Sequence, residues 1–238
     1  AAGIAVAHSA FNVFATCILL PFSKGLEKLA CITIRDEKEE NDETEGLQLL
    51  DEPFLDKPAL AMEQSRTVAN YMADASRDCM LAALSLFQEY KGELEDKIVE
   101  DENKVDKYED ALGTYLVKLG QKDMSQKDSR DLSVILHCIG DFERISDHGV
   151  NIMESAKELH DKGLKFSDKA LAELAVISRA VEDIVKLSYQ VFKERDFKLA
   201  KKVEPLEEII DELNQELKTR HVDRLREGKC TIEQGFIL

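Results

Sequence analysis

The chain has no tryptophan, and its 238 residues include only four prolines and eleven glycines. So few breakers leave little room for the frequent tight turns of an all-β fold. Cysteine is scarce too. Cys17, Cys31, Cys79, Cys138 and Cys230 form no C-x-x-C pair and no disulfide framework, which points to a reducing compartment. Basic residues are outnumbered 48 to 32 by acids, for a formal net charge of −16. That excess argues against a nucleic-acid binder, whose phosphate contacts need clustered Lys and Arg. Gly-rich phosphate loops and G-x-S-x-G nucleophile motifs are missing. So are the E-x-x-H pairs of a di-iron bundle oxidase: Val134, Ile145, Lys157 and Lys218 stand three residues before His137, His148, His160 and His221. No catalytic residue can be named, and the chain is not expected to be an enzyme.

What is present is helical. Hydrophobic residues make up 44% of the chain, and Ala, Leu, Glu, Asp and Lys dominate it, so an all-α fold with a real core is expected. Periodicity places helices at about 59–91, 93–120, 127–161, 168–194 and 197–227. Gly120, Gly163 and Gly228 suit C-terminal stops, and Ser125 and Ser167 suit N-caps. Ahead of these lies a run without a single Asp, Glu, Lys or Arg, from Ala1 to Ser23. It is long enough to cross a bilayer core, which takes about 20 apolar residues; the alternative is a buried helix of a soluble protein. It lacks the basic start of a signal peptide. Lys24, Lys28 and Arg35 follow it, which puts the rest of the chain on the cytoplasmic side. Asp36 to Asp56 carries ten acids against one Lys and reads as a solvated, poorly ordered linker closed by Pro53 and Pro58.

The richest stretch is D-F-E-R-I-S-D-H-G-V-N-I, Asp141 to Ile152. Glu143, Asp147 and Asn151 fall at i, i+4 and i+8, so three oxygen-bearing side chains share a helix face. Beside it runs an apolar seam of Leu132, Ile135, Ile139 and Phe142, continued by Ser146, Gly149 and Met153. Small residues in that seam would let a neighbouring helix come close to the carboxylates.

A shift of 105 residues brings Asp78, Phe87, Glu89, Leu94, Lys97, Glu102, Asp106 and Leu112 onto identical residues. Their partners are Asp183, Phe192, Glu194, Leu199, Lys202, Glu207, Asp211 and Leu217. Each unit would hold three helices, with a second E-x-x-x-D pair on its middle helix: Glu102 with Asp106, and Glu207 with Asp211. Chance yields many such pairs in so acidic a chain, and most are plain solvated faces. Paired carboxylates brought together in a bundle need a cation or a raised pKa to offset their repulsion. Oxygen-rich sets suit hard cations or iron, and His148 could add a nitrogen ligand. The counterpart of the Asp141 stretch would start near Thr231, so the chain reads as a fragment cut at both ends.

The Asp141 to Ile152 segment resembles the PhoU family, whose helices carry E-R-I-G-D-x-x-x-N-I-like signatures. The resemblance implies two similar three-helix bundles and metal clusters bound through E(D)-x-x-x-D motifs. On that basis Glu102, Asp106, Glu143, Asp147, Glu207 and Asp211 are the metal-site candidates, for iron, zinc or another divalent cation. Ser146 stands in place of the usual Gly, and the last helix is missing. Ala7 to Asn12 (A-H-S-A-F-N) and Leu20 to Phe22 (L-P-F) look like the closing segment of bacterial sodium/phosphate cotransporters. Leu50 to Gln64 is similar to the junction leading into their C-terminal PhoU-like domain.

The resemblance implies an all-α chain with the end of a transmembrane transport domain (1–33), an acidic linker (34–58), a PhoU-like bundle (59–163) and a second, truncated bundle (164–238). It further implies a cytoplasmic regulatory domain of a sodium-dependent inorganic phosphate transporter at the inner membrane. Sodium and phosphate would be handled by the missing transport core; within this chain Asn12 is only a weak candidate for a transport residue. Homo-oligomerisation is left open. The alternatives are a soluble PhoU-type adaptor that serves a sensor kinase and a phosphate importer, and a purely structural bundle.

Overall fold

The computed structural model describes Phe11, Phe14 and residues 44–230. The expected membrane segment, Ala1 to Ser23, lies outside the described residues apart from Phe11 and Phe14. Among the described residues no helix is long and apolar enough to cross a membrane.

The described part is all-α, as expected. Its helices are α1 (Pro58–Ser85), α2 (Glu93–Leu119), α3 (Gln126–Asp161), α4 (Asp168–Glu194), a single turn α5 (Phe197–Ala200) and α6 (Val203–Arg226). Ser125 and Ser167 cap α3 and α4, their hydroxyls accepting from the backbone N–H of Asp128 and Ala170 at 3.1 and 3.3 Å. Gly163 and Gly228 end α3 and α6 with φ of 61° and 68°, the left-handed backbone that favours glycine. Two boundaries differ from expectation. The first helix stops at Ser85 rather than near Lys91, and its chain turns through Leu86 to Gly92 so that Leu86 becomes core. The last is broken at Lys201 and Lys202 into α5 and α6, after the Asp196 side chain caps α5 by accepting from the N–H of Lys198 and Leu199.

α1, α2 and α3 pack around one another. The apolar seam of α2 (Val105, Leu112, Leu116, Leu119) meets Val68 and Met72 of α1 and Ile135 and Ile139 of α3, all at most 3% exposed. A smaller cluster continues toward the other end through Cys79, Ala83, Leu86, Ile98, Met153 and Ala156. α4 and α6 pack on each other, and α4 also packs on α1. Tyr189 of α4 donates to Asp74 of α1, and Arg77 lies over the Tyr189 ring at 4.1 Å. Asp131 of α3 bridges Arg66 (3.0 Å) and Arg195 (2.7 Å). In the 105-residue register the three buried residues of α4 and α6, namely Ala170, Ser178 and Leu217, align with Ser65, Ala73 and Leu112, all three buried.

Residues 44–56, the second half of the acidic stretch, are not the poorly ordered linker expected. They form two short 3-10 turns, Leu47–Leu49 and Glu52–Asp56, laid against the bundle. The reason is their apolar content: Leu47, Leu49, Leu50 and Phe54 pack on the core and Leu55 is buried. Tyr108 and Tyr115 of α2 fasten the segment by donating to the carbonyls of Glu45 (2.9 Å) and Asp51 (3.2 Å). Lys122 holds Asp56 at 2.8 Å. Gly46, at φ 85°, lies under Tyr71, where an added Cβ would come within 2.7 Å of the ring.

Candidate functional site

The small seam of α3 does what its residues suggest. Ser146 and Gly149 are buried, and the helix that comes close is α1. An added Cβ on Gly149 would fall 2.9 Å from Cys79 Sγ, so only glycine permits this approach. The Ser76 hydroxyl donates across the junction to the Phe142 carbonyl at 2.8 Å, and Ser146 donates to Glu143 O at 2.8 Å. Cys79 fills the contact point with its Sγ 3.6 Å from both Ile98 O and Ser146 O. Burial, then the nearby Asp101, Glu102 and Asp147, push its thiol up to about 12. It therefore stays a protonated, inert core group.

Above this junction α2 and α3 bring together four of the six candidate carboxylates. Glu102 and Asp106 stand one turn apart on α2, and Glu143 and Asp147 one turn apart on α3. Glu102 is raised above the usual carboxylate range by desolvation first, then by Asp106, Asp147 and Glu143. Asp106 is raised by desolvation, then by Asp147 and Asp110. Glu143 is raised by desolvation, then by Asp147, Asp106 and Glu109, and by a hydrogen bond with Asp147. Four mutually repelling acids at one place are the condition under which a cation or a proton is favoured. The donor set, all oxygen, fits a hard divalent cation or iron. Their side chains are not drawn to a point, however: among the described residues no three His, Cys, Asp or Glu groups converge at ligand geometry. Asn151 and His148 of α3 are exposed.

Glu207 and Asp211 are exposed on α6, and among the described residues they belong to no group that could hold a metal ion. Their expected partners, beginning near Thr231, lie outside the described residues.

One carboxylate escaped the sequence reading. Asp101 is 8% exposed, and its Oδ2 is buried without a hydrogen-bond partner. Burial raises its pKa, Lys104 and Lys97 pull it back, and Asp78 and Glu100 raise it further. Lys104 is its nearest ion-pair partner, at 3.8 Å. The signal was available, because Asp101 interrupts the 3-4 seam of Ile98, Val105, Tyr108 and Leu112. Next to a conspicuous E-x-x-x-D pair, an acid in the core stripe is easily read as one more solvated charge.

The PhoU domain model matches residues 70–156 and 174–236. The phosphate-specific transport system accessory protein PhoU homolog 1 of Thermotoga maritima is 30% identical over 111 residues. That alignment covers 47% of each protein, so the chain spans about half the length of the curated relative it matches. No solved structure matches the chain. With the family model spanning more than half of its length, the chain belongs to the PhoU domain family, which is regulatory and not enzymatic.

Proposed function

We propose that the chain regulates inorganic phosphate uptake as a PhoU-type adaptor, working between a phosphate importer and a sensor kinase at the cytoplasmic face of the inner membrane. The family match carries this reading, and the accessory role named for the Thermotoga maritima relative supports it. In this reading Glu102 and Asp106 of α2, with Glu143 and Asp147 of α3, hold a divalent cation, iron or zinc. The cation would offset the repulsion that raises these carboxyls, and so tie α2 to α3. Glu207 and Asp211 would complete a second site only with ligands from outside the described residues.

The test is phosphate uptake in host cells with and without the chain. Without it, uptake should stay high when external phosphate is plentiful; normal shut-off in its absence would refute the proposal. A second reading makes the chain the tail of a sodium-dependent phosphate transporter. Its motive is the charge-free stretch from Ala1 to Ser23 with the A-H-S-A-F-N and L-P-F segments. It requires detergent to extract the protein from membranes, and sodium-driven phosphate entry into liposomes holding the full-length parent. Release of the protein by salt alone would remove that reading and leave the adaptor.

A further inference from the structure

The far end of the second helical pair holds a cavity of about 170 Å³, between the start of α4 and the end of α6. Roughly 10–15 Å³ of such space holds one water, so the cavity has room for a small polyatomic ligand. Its polar lining comes from Lys165, Ser167, His221, Arg224, Lys229 and Cys230, and no acid lines it among the described residues. Two acids stand behind the lining, Glu173 against Arg224 and Glu227 against Lys229, each at 2.6 Å.

Two nitrogens at this end are buried and unpaired: Nη2 of Arg224 and Nε2 of His221. Glu173 grips the Arg224 guanidinium through Nη1 at 2.6 Å and so fixes it in place, leaving Nη2 without a protein partner. The other ring nitrogen of His221, Nδ1, faces the Cys230 thiol at 3.9 Å, which leaves Nε2 to serve a ligand. A buried polar nitrogen left without a partner is costly, so such groups rarely persist without a purpose. The fold does not require them. In the 105-residue register His221, Arg224 and Glu173 stand where the first unit has Leu116, Leu119 and Val68, all wholly buried apolar core. One end is sealed with leucine; its counterpart is polar, basic and hollow. Ser167 and Ala170, at the start of the 27-residue α4, also line the cavity, so the positive end of that helix dipole lies beside it.

We infer that this cavity binds a small oxyanion, inorganic phosphate, between Arg224, His221, Lys229 and Lys165. The geometry alone calls for an oxyanion; the choice of phosphate rests on the regulatory reading above. The site is separate from the carboxylate cluster, which would repel such a ligand.

Isothermal titration of the full chain with inorganic phosphate tests this, with sulfate in parallel and a chelator present so that no bound metal recruits the anion. One phosphate per chain is expected. The triple variant Glu173→Val, His221→Leu, Arg224→Leu copies the sealed end of the first unit and should weaken binding by tenfold or more, about 1.4 kcal/mol or greater. Lys165→Ala, at an exposed position, should weaken it about threefold. Glu143→Gln with Asp147→Asn should leave it unchanged. Absence of binding by both anions overturns the site, as does binding that survives the triple variant or Lys165→Ala at full strength. Sulfate binding without phosphate binding overturns the phosphate assignment. Uptake control can fail independently of any of these results, so the two proposals stand or fall separately.

Discussion

Two halves of one repeat have been finished differently. α1 buries twelve of its residues, whereas its register counterpart α4 buries only Ala170 and Ser178. On α2 eight residues are buried; on α6, Leu217 alone. Helical propensity cannot explain this, since all four are long helices with similar alphabets. The difference is the third helix. α3 covers the groove between α1 and α2, and among the described residues nothing equivalent covers α4 and α6. Burial, and with it most of the stabilisation, is a property of the three-helix set and not of its pieces. The same contrast runs through the acids. Glu102 and Asp106 face a second pair across the bundle and are perturbed by it; Glu207 and Asp211 face no such pair among the described residues.

The sharpest way to break this comparison is to truncate the same leucine in both units. Leu112→Ala should cost 2–5 kcal/mol, roughly the range for a fully buried leucine whose cavity cannot collapse. Leu217→Ala should cost less than half as much, because its looser surroundings can close over the gap. Urea unfolding followed by circular dichroism reads both, and equal losses would show that the second pair is packed as firmly as the first. Next in size is the helix crossing. Gly149→Ala should cost about 1–3 kcal/mol as overpacking, since the new methyl meets Cys79 Sγ. Cys79→Ala removes that sulfur, so the double variant should recover much of the loss; strict additivity would mean that the clash is not the cause.

How far the sequence could be read follows from the same physics. Caps and stops are local: Ser125, Ser167, Gly163 and Gly228 needed only their neighbours, and they lie where expected. The small seam of α3 was legible because a period of 3.6 exposes it, and it foretold a close neighbour. That the neighbour is α1, bearing Ser76 and Cys79, depends on tertiary packing that no local pattern carries. The ordering of residues 44–56 was missed for a related reason. Charge dominates that stretch by count, but the few leucines and Phe54 decide its fate once the hydroxyls of Tyr108 and Tyr115 reach its carbonyls. The basic cavity was invisible because Lys165 and Arg224 are 59 positions apart and each reads as an ordinary surface cation.

A smaller effect tests the acid that intrudes on the first core. Asp101→Asn should stabilise the protein at neutral pH by about 1 kcal/mol, since a neutral amide is cheaper to bury than a carboxylate with one orphaned oxygen. A net loss of stability would show that Lys104 offsets the burial in full.

The smallest effect concerns the carboxylate cluster. Glu102, Asp106 and Glu143 have folded pKa values above their ordinary ones. In the window between the ordinary carboxylate range and those raised values the folded chain binds more protons than the unfolded one. Their contribution to stability is therefore fully present below that window and is lost as pH rises through it. Glu143→Gln should flatten this decline in metal-free protein and raise neutral-pH stability by roughly 0.2–0.5 kcal/mol, the scale of one like-charge i, i+4 pair. Adding a divalent cation should do for the wild-type first unit what Glu143→Gln does, and should do nothing further for that variant if Glu143 is among its ligands. A cation response that persists undiminished in Glu143→Gln would place the metal, if any binds, away from the α2–α3 carboxylates.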